Sequence, residues 1–156
     1  MRISDPGITI QINRQWGCQF QDVMAEQLRL KGKKVQQNVR CSAGVIDIVA
    51  DNWVVEIKSN LNRSELFKAI GQVLTYRDSY SISMQPVIIG VTRNIKRIAP
   101  IVYTVTKQSL FCPIGMWVYD TEWQIIPEDR IKELAMRDIK RWKSLDRLTE
   151  DEDWTC

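Results

Sequence analysis

The chain has 156 residues and a mass of 18.2 kDa, the size of one domain with a substantial core. Hydrophobic residues make up 44% of the chain and charged residues 26%, which predicts a soluble globular protein. The absence of histidine excludes Ser-His-Asp and Cys-His catalysis, His-ligated metal nucleases, Cys2His2 zinc fingers and HExxH proteases.

The distribution of charge favours an anionic partner such as nucleic acid. The net charge is +3, but residues 1–119 carry +7 and residues 120–156 carry −4. An ordinary soluble protein with an acidic tail is the alternative. No apolar run approaches the roughly 20 residues that cross a bilayer. The first ten residues lack a signal-peptide apolar segment, so we expect a cytoplasmic protein that is not in a membrane.

The cysteines do not form a recognisable site. None of the four belongs to a CxxC pair, so we expect free thiols in place of a zinc site or a disulfide framework. They are Cys18, Cys41, Cys112 and Cys156.

The first half of the chain predicts one helix followed by three strands. Apolar residues at helical spacing predict a helix over about 18–31, which Gly32 ends. Residues 34–39 are a candidate for a short strand, and runs rich in Val and Ile predict strands over 43–50 and 53–58. Asp51 and Asn52 separate the last two strands and predict a two-residue hairpin turn, so that residue 50 pairs with residue 53.

The second half predicts alternating helices and strands. A helix over 63–79 begins at a capping box of Asn62 and Glu65. A buried strand over 86–92 precedes a helix from Pro100 to about Ser109, then a strand over 115–119 and a helix from about Pro127. The apolar stripe of the helix over 63–79 is predicted to comprise Leu66, Phe67, Ile70, Val73 and Leu74. The core side of the last helix is predicted to comprise Ile131, Leu134, Ala135, Ile139 and Trp142.

These elements predict an α/β fold with a mixed central sheet flanked by helices. We expect a single domain over 1–156, with a core over about 17–120. Residues 121–156 are expected to add a C-terminal helix and an acidic tail, in which Trp154 favours some docking.

The predicted hairpin has one apolar face and one face with charges. Period-two alternation places Ile46, Ile48, Ala50, Trp53, Val55 and Ile57 on the core face. Asp47, Glu56 and Lys58 share the other face with Val45, Val49 and Val54. The predicted turn puts Asp47 directly opposite Glu56, with Cβ atoms about 4.5–5.5 Å apart. The three valines suggest a half-covered cleft rather than a fully solvated face.

Two opposed carboxylates repel each other unless a cation lies between them, and Mg²⁺ prefers such oxygen ligands. A water acidified by the metal can attack a phosphodiester, with Lys58 orienting the water or stabilising developing charge. The alternative is an amphipathic hairpin with a solvated polar face. Gln72 and Tyr76 lie one helical turn apart, where they can meet a phosphate, a base or Lys58, or form a plain surface pair.

Three sequence elements together resemble the PD-(D/E)xK nuclease superfamily. They are Ile46-Asp47, Glu56-Ile57-Lys58 and the Gln-x3-Tyr run from Gln72 to Tyr76, the last resembling the RecB-like branch. The resemblance covers roughly 17–92 and implies a restriction-endonuclease-like core in the order α-β-β-β-α-β. It also implies DNA cleavage with Mg²⁺, or Mn²⁺ in its place. Asp47, Glu56 and the Ile57 backbone carbonyl would be the metal ligands, and Lys58 and Gln72 would take part in catalysis.

The sequence departs from the superfamily pattern at two places. Ile46 replaces the proline of the motif name. Gln21 stands where the first helix of such nucleases often carries a glutamate, four residues after a glycine. Gln21, Asp22, Glu26 and Tyr76 are therefore candidate accessory residues, and the number of metals, one or two, stays open.

The resemblance leaves several DNA-related functions open. A sequence-specific homing or restriction enzyme on duplex DNA is favoured over a Holliday-junction-type resolvase, a non-catalytic nucleic-acid-binding module or an interaction protein. Paired cuts need two active sites, so we expect a homodimer or a higher even-numbered homo-oligomer. Trp117, Trp123 and Trp142 could supply either an association patch or core packing. The candidate DNA-contacting residues are Lys33, Lys34, Arg40, Arg63, Lys68, Arg77, Arg93, Lys96 and Arg97.

Overall fold

A computed structural model describes residues 20–107 and 113–150 of the chain, with side chains up to residue 143. Nine elements follow one another: α1 (Phe20–Leu30), β1 (Val35–Cys41), β2 (Gly44–Ala50), β3 (Trp53–Lys58), α2 (Arg63–Tyr80), β4 (Gln85–Val91), α3 (Ile95–Thr106), β5 (Gly115–Tyr119) and α4 (Glu128–Glu150). The fold is α/β, as predicted. The α-β-β-β-α-β order that the resemblance implies has six elements. The observed order differs from it because α3, β5 and α4 are added after β4.

The strands form one mixed sheet in the order β1-β2-β3-β4-β5. The first three strands pair antiparallel, as short turns require, and the last three pair parallel through the helical crossovers α2 and α3. The carboxyl ends of β3, β4 and β5 therefore meet at one edge of the sheet. Ligands of open α/β sheets commonly bind at such an edge.

The helices cover both faces of the sheet. One apolar cluster joins α1 to the sheet and includes Met24, Leu28, Ile48 and Val55. The other joins α2, α3 and α4 to the opposite face. Val49 and Val54 lie in this second cluster and are buried, so the prediction of a half-covered cleft along the whole polar face of the hairpin was wrong at these two positions.

Two predicted apolar stripes were too wide. Phe67 is 52% exposed because α2 packs on the sheet through Leu66, Ala69 and Val73, and the small Ala69 replaces Phe67 in the contact. Trp142 is 62% exposed on α4, so its predicted place on the core side was also wrong. A large apolar side chain stays exposed when it lies on a side of its helix that does not pack against the rest of the fold.

Helix α3 begins at Ile95, five residues before the predicted start at Pro100. Proline removes a backbone donor from a helix interior, which normally favours a helix start. Here Ile98, Ala99 and Val102 are all buried against the sheet, and this apolar contact spans both sides of the proline. Tertiary packing therefore overrides the local signal.

Two predictions fall partly outside the described residues. Cys41 is a free, half-buried thiol, whereas Cys18, Cys112 and Cys156 lie outside the described ranges. Helix α4 continues to Glu150, and Trp154 in the predicted acidic tail lies beyond it. No helix in the described part of the chain is long and apolar enough to span a membrane.

Candidate active site

The β2–β3 hairpin has the predicted register up to the point where its acidic residues begin. Ala50 pairs with Trp53, and the ladder continues to the pair of Ile48 and Val55. It ends there, one pair before the predicted opposition of Asp47 and Glu56. The Asp47 Oδ2 atom instead accepts a hydrogen bond of 2.8 Å from the Ile57 backbone N–H. The carboxylate thus takes the place of a main-chain acceptor, and the two strands separate beside it.

The β1–β2 ladder is interrupted at the same level. Asn38 lies opposite Asp47 with a left-handed φ of 54°, a conformation that Asn tolerates better than most residues. The side chain of Gln21 bridges the gap, because its Nε2 atom donates to the Asp47 carbonyl at 3.1 Å and to Asn38 Oδ1 at 3.2 Å. Of the candidate accessory residues on α1, Gln21 is therefore the one that contacts Asp47.

The interruption of the ladder at Asn38 and Asp47 changes which side of the sheet the neighbouring residues of β2 face. Ile46 lies in the cluster under α2, whereas Ile48 lies in the cluster under α1. The prediction that the two share one face was wrong, because strict alternation requires an uninterrupted ladder. A left-handed residue such as Asn38 breaks that regularity.

Glu56 is a buried acid with an unsatisfied oxygen. The residue is 4% exposed, and Oε1 lies 3.1 Å from Lys58 Nζ. Its other oxygen, Oε2, has no hydrogen-bond partner among the described residues. Burial raises the pKa of Glu56 to about 7, and repulsion from Asp47 contributes to the rise while Lys58 opposes it. Such an oxygen is costly to bury without a proton or a cation beside it.

Asp47 shares this environment. Burial raises the pKa of Asp47 as well, and the hydrogen bond from Ile57 is the strongest opposing influence. The two acids are thus close enough to repel each other, as the sequence predicted. No third Asp, Glu, Cys or His joins them in a metal-binding group within the described ranges. Among the described residues, the acids that adjoin each other are therefore Asp47 and Glu56.

Lys58 is held among three oxygen acceptors. Besides Glu56, its Nζ atom contacts Gln72 Oε1 at 2.9 Å and Glu65 Oε2 at 3.6 Å. The contact between Gln72 and Lys58 is one of the alternatives that the sequence left open, and it is confirmed. The ammonium group is thereby fixed beside the acid pair.

Glu65 is a site residue that the sequence analysis missed. It was interpreted as part of the helix cap, and the Asn62 side chain does accept from the Glu65 N–H at 2.9 Å. Its carboxylate, however, links Lys58 to Lys68, and the hydrogen bond from Lys68 lowers the pKa of Glu65. Its spacing of seven residues from Gln72 places both on one helix face, and this signal could have identified it.

Among the described residues, Tyr76 supports the hairpin at the β1–β2 turn and makes no hydrogen bond to either acid. It packs against Gly44, where an added Cβ would lie 3.3 Å from the Tyr76 Cε1 atom. Gly44 also has a φ of 143°, which side chains disfavour. Ser79 adds a 2.6 Å hydrogen bond to Ser42 in the same turn. These contacts fix the β1–β2 turn against α2, and Tyr76 and Gln72 line one open groove there.

The other two accessory candidates make contacts elsewhere. Asp22 accepts a hydrogen bond from Gln37 at 3.0 Å. Glu26 is exposed and lies 3.9 Å from Arg29. The structure therefore brings together Asp47, Glu56, Lys58 and Gln72 with Gln21, and it leaves these two acids on the outer side of α1.

The candidate DNA-contacting residues occupy several separate locations. Lys33 stacks on the Trp53 ring at 3.7 Å, and Lys34 and Asp51 lie at the same end of the hairpin. Arg77 is ion-paired with its neighbour Asp78. Arg40, Lys68 and Lys96 are exposed. The remaining three arginines line a cleft of about 590 Å³ at the carboxyl edge of the parallel strands; they are Arg63, Arg93 and Arg97.

Comparisons with protein-family models, curated proteins and solved structures give no match to this chain. The chemistry of the site is therefore argued from its own residues. Two adjoining carboxyl groups with raised pKa values, a fixed lysine and an unsatisfied buried oxygen form a concentrated polar cluster in an apolar sheet. Such clusters are typical of catalytic or metal-binding sites.

Proposed function

We propose that this protein is a metal-dependent DNA endonuclease that hydrolyses phosphodiester bonds. The observation that supports the proposal most strongly is the buried Glu56 carboxyl group, whose Oε2 atom has no partner among the described residues and which adjoins Asp47. The ion pair with Lys58 engages only the other oxygen, and a proton shared with Asp47 is the alternative to a cation at this position. A divalent cation between the two carboxyl groups would satisfy it and remove their repulsion.

The donor set fits Mg²⁺, or Mn²⁺ in its place. Asp47 and Glu56 offer hard carboxylate oxygens. The Ile57 N–H points toward Asp47, and the carbonyl of a residue in an extended strand points to the same side as its N–H, which supports it as a third ligand. A bound ion would supply charge stabilisation at the phosphate and would acidify the attacking water.

Lys58 and Gln72 have distinct roles in this proposal. The Lys58 ammonium group would stabilise the negative charge that develops on the phosphate in the transition state. Gln72 is a positioning residue, because its Oε1 atom accepts from Lys58 at 2.9 Å. Gln21 would position Asp47 through the backbone carbonyl of that residue.

We favour cleavage of duplex DNA at a specific sequence, as in homing and restriction enzymes. A Holliday-junction-type resolvase is the alternative enzyme, and a non-catalytic nucleic-acid-binding module would be expected to lack part of the acid–lysine set present here. Phosphate contacts alone carry no sequence information, so DNA substrates have to separate these alternatives.

Paired cuts would require a homodimer or a higher even-numbered assembly. Of the three tryptophans considered for an association patch, Trp117 is buried and Trp123 packs in the cluster under α1. Trp142, exposed on α4, is the remaining candidate. Light scattering of wild type and of Trp142→Ala tests this, since the variant is expected to shift toward the monomer.

The deciding experiment is a cleavage assay on supercoiled plasmid, linear duplex and a four-way junction, each with Mg²⁺, Mn²⁺ or EDTA. Wild type is expected to cut with either metal and not in EDTA. Glu56→Gln is expected to lose cutting, whereas Glu133→Gln, on the exposed face of α4, is expected to retain it. Equal cutting by wild type and Glu56→Gln would contradict the proposal, as would no cutting of any DNA by a folded wild type.

A further inference from the structure

A second polar cleft lies beside the acid site, at the carboxyl ends of β3 and β4. The loop after β3 and the loop after β4 form its walls, together with the first turns of α2 and α3. Its volume of about 590 Å³ is in the range of ligand-binding clefts. Its polar lining includes Asn60, Arg63, Ser64, Thr92, Arg93 and Arg97.

The lining of this cleft is basic, without a compensating acid. None of its lining residues is Asp or Glu. Arg93 and Arg97 make no ion pair with any described acid, and the Arg63 guanidinium lies over the Phe67 ring at 5.5 Å. Arg29, Arg77 and Arg137 each pair with an acid, whereas Arg40 and Arg130, like Arg93 and Arg97, make no ion pair with a described acid. The three side chains that line the cleft are exposed, so water screens their repulsion, and they are free to approach one anion together.

The cleft lies close to the acid site along the chain. Asn60 follows Lys58 by two residues, which span at most about 7 Å of extended chain. Arg63 shares the first turn of α2 with Glu65, and Glu65 contacts Lys58 at 3.6 Å. The cleft is therefore within reach of a phosphate that neighbours one bound at the acid site.

We propose that this arginine cleft, defined by Arg63, Arg93 and Arg97, binds an internal backbone phosphate of the DNA strand whose neighbouring phosphodiester is cut beside Glu56. The choice of DNA rests on the proposed function. Guanidinium groups match phosphate oxygens in paired hydrogen bonds, and the neutral Asn60, Ser64 and Thr92 side chains add further polar groups. The cleft would set the position of the strand without reading its sequence.

The test is a binding titration in EDTA, where cleavage is absent, with a fluorescent duplex that has 5′-hydroxyl ends. Arg93→Ala and Arg97→Ala are each expected to weaken binding about tenfold and to lower the salt dependence by about one phosphate contact. The matched control is Arg29→Ala, which removes the same charge from an exposed position on the opposite face of the sheet and is expected to change binding less than twofold. Arg97→Gln serves as a second variant, and circular dichroism verifies folding.

Two further probes identify the phosphate. The same duplex with 5′-phosphate ends is expected to bind as the hydroxyl-ended duplex does, and inorganic phosphate is expected to compete only weakly. Preference for the 5′-phosphate would mean a terminal-phosphate pocket and would overturn the proposal. An equal loss of affinity in Arg29→Ala and Arg97→Ala would also overturn it, because general surface charge would then explain binding.

This outcome is separable from that of the nuclease proposal. Glu56→Gln is expected to bind the duplex in EDTA at least as well as wild type, while losing cleavage in Mg²⁺. A wild type that binds through the arginines and never cuts would refute the nuclease and the neighbouring cut, and would leave only a cleft that binds a backbone phosphate. If wild type cuts DNA and both arginine variants bind it as tightly as wild type does, the cleft alone is refuted.

Discussion

The two halves of the β2–β3 hairpin differ in what their residues contribute. Near the turn, Ile48 and Val55 continue a regular ladder and are buried in the core. Beyond that pair the strands separate, and Asp47 and Glu56 are held at the opening, with one carboxylate oxygen unsatisfied. The first half stabilises the fold, whereas the second half is costly to bury. Strain and unpaired polar groups persist where the surrounding structure holds them, and they are frequent at functional sites.

The largest expected effect is on catalysis in the open half. Asp47→Ala, Glu56→Ala and Lys58→Ala are each expected to lower metal-dependent DNA cleavage by at least about 100-fold, the scale of losing an electrostatic or acid–base group. Lys132→Ala, on the exposed face of α4, is the control. Single-turnover rates at saturating DNA measure the loss. A Lys58→Ala protein that cuts at the wild-type rate would remove this lysine from the mechanism.

The next effect is on stability in the regular half. Ile48→Ala is expected to lower the free energy of unfolding by about 2–5 kcal/mol, because Ile48 is fully buried and its removal leaves a cavity. Urea denaturation in EDTA measures it. Glu56→Gln is not expected to destabilise the metal-free protein. If both substitutions destabilise alike, the two halves of the hairpin do not differ as proposed.

The third effect is on the pH dependence of stability without metal. The pKa of Glu56 is raised from its ordinary value of 4.5 to about 7 in the folded protein. The folded state therefore binds a proton at Glu56 more tightly than the unfolded state does. The stability that this proton contributes to the folded state is lost as pH rises from 4.5 to 7. The free energy of unfolding of wild type in EDTA is expected to fall by on the order of 1–3 kcal/mol between pH 4 and pH 8 because of Glu56. Glu56→Gln is expected to abolish this fall.

The same repulsion predicts how metal acts on Asp47. Asp47→Asn is expected to raise the melting temperature in EDTA by a few degrees, since one of two adjoining charges is removed and the amide oxygen can still accept from Ile57. Mg²⁺ or Mn²⁺ is expected to stabilise wild type and not the variant. Thermal melts with and without metal decide this, and equal stabilisation of both proteins would exclude Asp47 as a ligand.

The smallest effect is expected from the residue that positions Lys58. Gln72→Ala is expected to lower the cleavage rate about tenfold at saturating DNA, because Lys58 loses a 2.9 Å hydrogen bond but keeps Glu56 and Glu65. DNA affinity is expected to stay unchanged. Thr75→Ala, in the same groove of α2, is the control. An unchanged rate in Gln72→Ala would mean that the acids alone position the lysine.

The local signals in the sequence predicted most of the residues that the structure brings together at the candidate site. The Asp51-Asn52 turn predicted the register to Ile48, and the spacing of Gln72 predicted a residue within reach of Lys58. Glu65 was missed because its capping function hid a second contact. Asn38 was missed because nothing in its neighbours indicates a left-handed backbone, and without it the change of face at Ile46 could not be predicted.

The sequence by itself determined the α/β class, the hairpin and the residues of the acid–lysine set, because turn chemistry and period-two alternation act over a few residues. The tertiary structure decided which of those residues are buried, that Asp47 hydrogen-bonds to Ile57 instead of pairing across the ladder, and that three arginines distant in sequence share one cleft. The parallel strands β3 and β4 bring their carboxyl ends to one edge only when the helices between them pack on the sheet. That packing depends on apolar contacts between distant residues, which spacing along the chain does not contain.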